Sequence, residues 1–264
     1  MILYFSGTGN SRAVATLLAE CMGEDAPRPM EPSMRSGAVT LGADRRIVWV
    51  FPVYSWGVPP YVLDIIKGVT VSGATVHHCV MTCGDDCGLA DRMWRKAVSS
   101  RGWQPGSVMS VQMPNNYVAM KGFDVDPEDV EVAKLKAFPA RVSQVAAQML
   151  EDELNGSWHT DIVRGRFAWI KTRIIYPWFV SHAMNPAEFK VDPDACTGCG
   201  KCQRACPTGN IRLVATDGTT RHRIPTWGKD CAGCLGCYHI CPKHAIAFGN
   251  KTAGKGQYYF KPVR

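Results

Sequence analysis

The sequence has no Gly-Lys-Ser/Thr phosphate signature, and Gly7-x-Gly9 is followed by Arg12 where a dinucleotide fingerprint needs its third glycine. Walker-type nucleotide binding and direct nicotinamide binding are therefore not expected. No uncharged run reaches membrane-spanning length. Met1 leads straight into Ile-Leu-Tyr-Phe with no basic segment and no small-residue cleavage site, so a secretory signal is not expected either. A reducing cytoplasmic location is the corresponding expectation. Basic residues form no dense stripe, which argues against nucleic acid. Residues 22–45 lack periodicity and offer at most one weak strand, which is not assigned.

Cysteine, by contrast, is abundant and organised. Eight of the twelve cysteines fall in Cys196-Thr-Gly-Cys199-Gly-Lys-Cys202-Gln-Arg-Ala-Cys206-Pro207 and Cys231-Ala-Gly-Cys234-Leu-Gly-Cys237-Tyr-His-Ile-Cys241-Pro242. The second run repeats the first at an offset of 35 positions at both ends, the mark of an internal repeat. Zinc sites also use paired cysteines, but a tetrahedral site has no use for a third thiolate at the same spacing. A disulfide framework would need an oxidising compartment.

The doubled pattern resembles the bacterial ferredoxin run, in which three close thiolates serve one cubane and the fourth serves the other. The resemblance implies that Cys196, Cys199, Cys202 and Cys241 hold one 4Fe-4S cluster, while Cys231, Cys234, Cys237 and Cys206 hold a second. It also bears on the net charge of +7, which counts every cysteine as neutral. Two oxidised clusters at about −2 each, with a bound flavin phosphate at about −2, bring the loaded protein near neutrality.

The N-terminal part reads as strands alternating with helices. Residues 1–5 form a short buried strand, and Ser6-Gly7-Thr8-Gly9-Asn10-Ser11 opens a helix over about 12–21, so backbone amides and hydroxyls converge as they would on a phosphate. An ordinary strand-to-helix turn is the alternative. A buried strand over 47–52 runs into Pro52-Val53-Tyr54-Ser55-Trp56-Gly57 and then a helix to about Lys67. The next strand, 75–81, leads into Thr82-Cys83-Gly84-Asp85 and a helix to about Ser100. Residues 108–113 read as the last parallel strand, followed by Asn115, Asn116 and Tyr117. Asp126-Pro127-Glu128 is expected to supply a cap and a first-turn proline for a helix ending near Gly156, with Pro139 kinking or dividing it.

With three small loops after strand ends, residues 1–156 resemble a flavodoxin. The resemblance implies an FMN held by Ser6, Thr8, Gly9, Asn10 and Ser11 at its phosphate, by Pro52, Tyr54, Trp56 and Gly57 around its ring, and by Thr82, Cys83, Gly84 and Asp85 at its pyrimidine edge. Tyr54 and Trp56 could instead merely cover the sheet end. Cys83 and Cys87 are read as plain small residues rather than a redox pair.

Residues 157–189 interleave aromatics with Arg164, Arg166, Lys171 and Arg173. Packing between modules is the favoured reading, and a membrane-surface helix, giving peripheral membrane contact, is the other. Residues 190–250 form the ferredoxin unit, with a hairpin turn at Asp217-Gly218, and the tail 251–264 is expected to fold back on the body.

The whole chain thus resembles the flavodoxin/ferredoxin fusion proteins. Its expected fold is an α/β doubly wound parallel sheet followed by an α+β ferredoxin domain. Its expected function is transfer of electrons between two 4Fe-4S clusters and FMN, as an oxidoreductase of anaerobic metabolism with a ferredoxin-like donor and a small-molecule or protein acceptor. A pure carrier without its own substrate is the alternative. Asp85, Asn115, Asn116 and Tyr117 are the candidates for a polar pocket over the flavin.

Overall fold

Apolar runs without alternation form the centre of the sheet. The structure, a computed structural model, describes residues 1–42, 45–73, 76–215 and 223–261. Ile2–Tyr4 (β1) leads into Asn10–Met22 (α1), and the next segments are Arg28–Pro29 (β2) and Thr40–Gly42 (β3). Arg46–Pro52 (β4), Pro60–Gly68 (α2), Thr70–Ser72 (β5), Val76–Cys83 (β6), Ala90–Ser99 (α3) and Gln104–Gln112 (β7) continue the alternation. Glu128–Asn155 (α4) and Thr160–Asp161 (β8) complete the layer.

Six strands lie in the order β2-β1-β4-β6-β7-β8, all parallel. Successive side chains of β4 go to opposite faces, as a strand's period of two requires. Ile47, Trp49 and Phe51 join Tyr61, Val62 and Ile65 of α2 and Trp94 and Val98 of α3. Val48 and Val50 join Val14 and Leu18 of α1 and Val142, Val145 and Met149 of α4. Helices therefore cover both faces, which explains why β4 reads as unbroken apolar sequence. The order reverses between β1 and β4, and the loops after β1, β4 and β6 open together at that switch point.

Several expectations are corrected. The strand over 108–113 is not the last, because β8 pairs beyond β7, its neighbour His159 accepting the Val108 N–H at 2.9 Å. Two exposed edge residues carry no period from which a strand could be read. The sheet thereby extends past residue 156. Residues 22–45 hold two short strands, and β3 pairs with β5 in a separate parallel ribbon. Asp126 does not cap α4; Pro127 occupies that position, and the Asp126 carboxylate instead accepts the Asn115 backbone N–H at 2.9 Å and pairs with Lys134 at 2.6 Å. Pro139 does not divide α4, which continues for 28 residues. Its long apolar face on the sheet outweighs the one hydrogen bond a proline forfeits.

The connector comprises Ala168–Ile170 (α5), a π-helical turn at Lys171–Ile175, and Tyr176–His182 (α6). Beyond it, Phe189–Val191 (β9) pairs antiparallel with Ile246–Phe248 (β12), and Ile211–Ala215 (β10) with Arg223–Trp227 (β11). Lys201–Arg204 (α7) and Gly236–His239 (α8) carry the third cysteine of each run. The Asp217-Gly218 turn, Thr75, and residues 262–264 lie outside the described residues. The apolar seam with the sheet layer includes Val118 and Ala119 against Leu235, Tyr238 and Phe248, and from the connector Tyr176 packs on Gly57 and Phe179 on Tyr117. Phe167, Trp169, Ile170, Ile174 and Trp178 are exposed.

Candidate functional site

Helix α1 starts beside the first loop without a side-chain cap and without an acidic residue in its first turn, so its leading amides keep their donors for an anion. Ser6 Oγ accepts the Gly9 N–H at 3.1 Å, and Ser11 Oγ shares a 2.8 Å hydrogen bond with Thr82 Oγ1. Thr8 Oγ1 is bonded to the Asn116 amide. The Asn10 side-chain amide is engaged at both ends, donating to the Pro114 carbonyl at 3.0 Å and accepting from Tyr258 Oη at 2.6 Å. The tail closes over this loop as Phe260 N–H donates to Thr8 O at 2.8 Å. Gly9, at φ 97°, leaves room for Phe260, whose Cβ would be 2.8 Å from a Cβ added there.

After β4, Tyr54 and Gly57 exchange backbone hydrogen bonds of 3.0 and 2.9 Å, and the two residues between them, Ser55 and Trp56, both have positive φ. A non-glycine pair in this left-handed turn is strained, which marks a place where surrounding contacts dictate the backbone. Those contacts are visible. Thr172 Oγ1 donates to Trp56 O at 2.7 Å, Lys171 Nζ lies 4.9 Å from the Trp56 ring centroid, and the Tyr176 ring packs directly on Gly57. Burial, together with nearby Cys234 and Cys231, pushes the Tyr54 phenol well above its ordinary range.

After β6, Gly84 admits the Asn115 side chain against its Cα, a position no side chain could share. Asn115 Nδ2 then approaches the Asp85 carboxylate at 3.3 Å. Behind this loop, the free Cys87 thiol is hydrogen-bonded to the Cys83 thiol and buried, and both effects raise its pKa.

The three loops surround one cavity of about 580 Å³, within the range of roughly 300–1,000 Å³ usual for ligand clefts. Ser6, Thr8, Asn10, Ser11, Pro52, Tyr54, Trp56, Thr82, Cys83, Gly84 and Asp85 line it, as do Asn115, Asn116 and Tyr117. Gly9 and Gly57 do not, since they accommodate Phe260 and Tyr176 respectively. The sequence reading missed Phe123, Phe179, Cys234 and Leu235 among the lining. Only the aromatic run before Phe179 could have hinted at them.

The cysteines fall into two groups that cross between the runs. Cys196, Cys199, Cys202 and Cys241 line one cavity with Pro225 and Ile246. Burial raises the Cys202 thiol to about 11, and the neighbouring Cys241 and Cys196 add to the effect. Burial likewise raises Cys234 to about 12, with Cys231 and Cys206 contributing, and raises Cys237 beside the same three cysteines. The thiols of Cys202 in one group and of Cys231, Cys234 and Cys237 in the other resist ionisation, mainly through burial, whereas a backbone hydrogen bond from Lys201 lowers Cys199. A cationic centre would compensate the thiolate charge that burial disfavours. Among the described residues, no three His, Cys, Asp or Glu side chains converge as on a single metal ion. Backbone amides also reach the sulfurs: Asn210 N–H donates to Cys206 Sγ at 3.3 Å and Gly233 N–H to Cys231 Sγ at 3.4 Å.

Comparison with protein families identifies iron-sulfur domains in the chain. Residues 189–248 match a 4Fe-4S dicluster domain, and a second 4Fe-4S dicluster domain match spans residues 76–210. The chain belongs to the 4Fe-4S dicluster proteins, whose clusters serve iron-sulfur electron transfer. Within the longer match, cysteines with cubane spacing occur at 196–206, and residues 76–161 lie in the sheet layer.

Proposed function

We propose that this protein is an iron-sulfur flavoprotein oxidoreductase that passes electrons between two 4Fe-4S clusters and an FMN held in the cavity between the three strand-end loops. The observation that carries the reading is the position of Cys234, which belongs to one cysteine group and also lines that cavity. FMN, when bound, exchanges one or two electrons and so links one-electron clusters to a two-electron acceptor. In this reading the α1 amides and the hydroxyls of Ser6, Thr8 and Ser11 hold the phosphate. Tyr54 and Trp56 flank the ring, and the Gly84-Asp85 backbone addresses the pyrimidine edge.

Cys206, Cys231, Cys234 and Cys237 hold the cluster next to the cavity, and Cys196, Cys199, Cys202 and Cys241 hold the outer one. Electrons from a ferredoxin-like donor in the cytoplasm then pass outer group first. Asp85, Asn115, Asn116 and Tyr117 give the cavity polar groups that orient an acceptor, which favours an enzyme over a pure carrier. Anaerobically purified protein is expected to carry about eight irons and about one FMN per chain. Zinc at four-thiolate stoichiometry, FAD in place of FMN, or absence of flavin would overturn the proposal. Turnover with a low-potential donor across an acceptor panel then identifies the acceptor.

A further inference from the structure

The connector buries one face and leaves the other bare. Thr172, Tyr176, Phe179 and Ala183 are buried, at the three- and four-residue spacing of a helical face. Thr172 is bonded to Trp56 O and the Leu89 N–H, and Tyr176 donates to Val58 O. The opposite stripe, Phe167, Ile170, Ile174 and Trp178, also recurs at spacings of three and four, and it is exposed. Phe167 and Trp169 are 66% and 61% exposed, far more than residual packing gaps would leave. Among the described residues, no helix is long and apolar enough to cross a membrane.

We infer that this face docks on an anionic lipid surface, lying in the headgroup layer with its aromatic and aliphatic side chains directed into the acyl boundary. Charge selects that occupant. Residues 162–187 contain no Asp or Glu, while Arg164, Arg166, Lys171, Arg173 and His182 fall within them. Arg164 and Lys171 are engaged with Asp91 and Asp86, whereas Arg166 and Arg173 are exposed beside the stripe. Exposed Trp and Phe next to Arg is the composition of an interfacial helix, whose binding sums apolar insertion and attraction to acidic lipids.

The same surface reaches the mouth of the cavity, because Ile175 and Trp178 are both exposed and part of its lining. Docking therefore turns that mouth toward the bilayer. This orientation rests on the proposed function only insofar as the cavity holds the flavin; the docking itself does not.

Co-flotation of the anaerobic holoprotein with phosphatidylcholine vesicles, with and without phosphatidylglycerol, tests the inference. Binding is expected only with the acidic lipid, with release as salt rises from about 0.1 to about 0.5 M. F167S combined with I174S, and separately R166E combined with R173E, should each cut the bound fraction about tenfold or more. Iron content and melting temperature should be unchanged, since these side chains face solvent. Absence of flotation in either lipid, or equal flotation of native protein and variants, overturns the docking. So does a lipid-free dimer abolished by F167S with I174S, which would assign the face to a second copy. Loss of turnover with an acidic ferredoxin in the charge variants, without vesicle binding by the native protein, would assign it to a protein partner. Flavin and iron assays on the same fractions read the proposed function separately.

Discussion

Gly7 lies so close to Cys234 that a Cβ added to it would stand 2.6 Å from the Cys234 Cβ, while a Cβ on Gly236 would stand 2.5 Å from Gly7 O. The first loop of the sheet layer and the second cysteine run therefore share one packed surface. Gly7→Val should disturb both sides at once. Iron is expected to fall from about eight toward about four per chain, with flavin lost alongside. Iron and flavin assays check this; loss of iron from the Cys196 group alone would refute it.

Thr8→Ala separates the two sides. Its hydroxyl meets Asn116 and the cavity but no cysteine. FMN retention should weaken while iron content stays unchanged, as measured by ultrafiltration of the purified protein. Equal loss of both cofactors would contradict the assignment of this hydroxyl to the phosphate.

The crossing of the cysteine groups gives a sharper test. Cys241→Ala and Cys196→Ala should damage the same cluster, each leaving a 3Fe-4S signal in electron paramagnetic resonance beside one intact cubane. The double variant Cys196→Ala/Cys241→Ala should retain one complete cluster, whereas Cys196→Ala/Cys206→Ala should retain none. An intact cluster in the latter pair would mean that each run ligates its own.

Much of this site was legible in the sequence, and the reason is locality. Cubane spacing is written into a dozen consecutive residues, and β1, β4 and β6 announce themselves as apolar runs ending in small polar loops. What escaped depends on distant partners. The turn holding Trp56 is fixed by Thr172 and Lys171, and the Asn10 side chain is oriented by Tyr258, contacts that leave no local pattern. The exposure of Phe167 and Trp169 was hidden for a related reason, since an amphipathic sequence does not say whether its apolar side meets protein or something else.

Tyr258→Phe removes one of those distant bonds without changing the ring. Losing a hydrogen bond worth about 1 kcal/mol should loosen FMN about fivefold and spare both clusters. Flavin release kinetics would measure it; an unchanged rate would show that the tail does not support the loop.

His77 makes stability depend on pH. It is fully buried, its Nδ1 accepts the Trp49 indole N–H at 3.0 Å, and burial lowers its pKa from the ordinary 6.5 to about 4. Above pH 6.5 it is neutral in both folded and unfolded chains. Between 6.5 and about 4 the unfolded chain takes up a proton that the folded one refuses, so stability falls as pH falls. His77→Gln should flatten that dependence by up to roughly 1.4 kcal/mol per pH unit. Denaturant titrations from pH 7 to about 4.5 would reveal an unchanged slope if the residue were already charged in the fold. His78, also held at about 4, mainly by burial, keeps part of the slope in the variant.

The strap of Tyr258 and Phe260 over the first loop sets an order of manufacture. Asn10 waits for a partner synthesised 248 residues later, a delay on the order of tens of seconds at ribosomal speed. Throughout that interval the loop after β1 has no strap, and both cysteine runs are complete before the strap is made. A chain arrested before residue 258 would lack both strap residues and leave the loop after β1 uncovered.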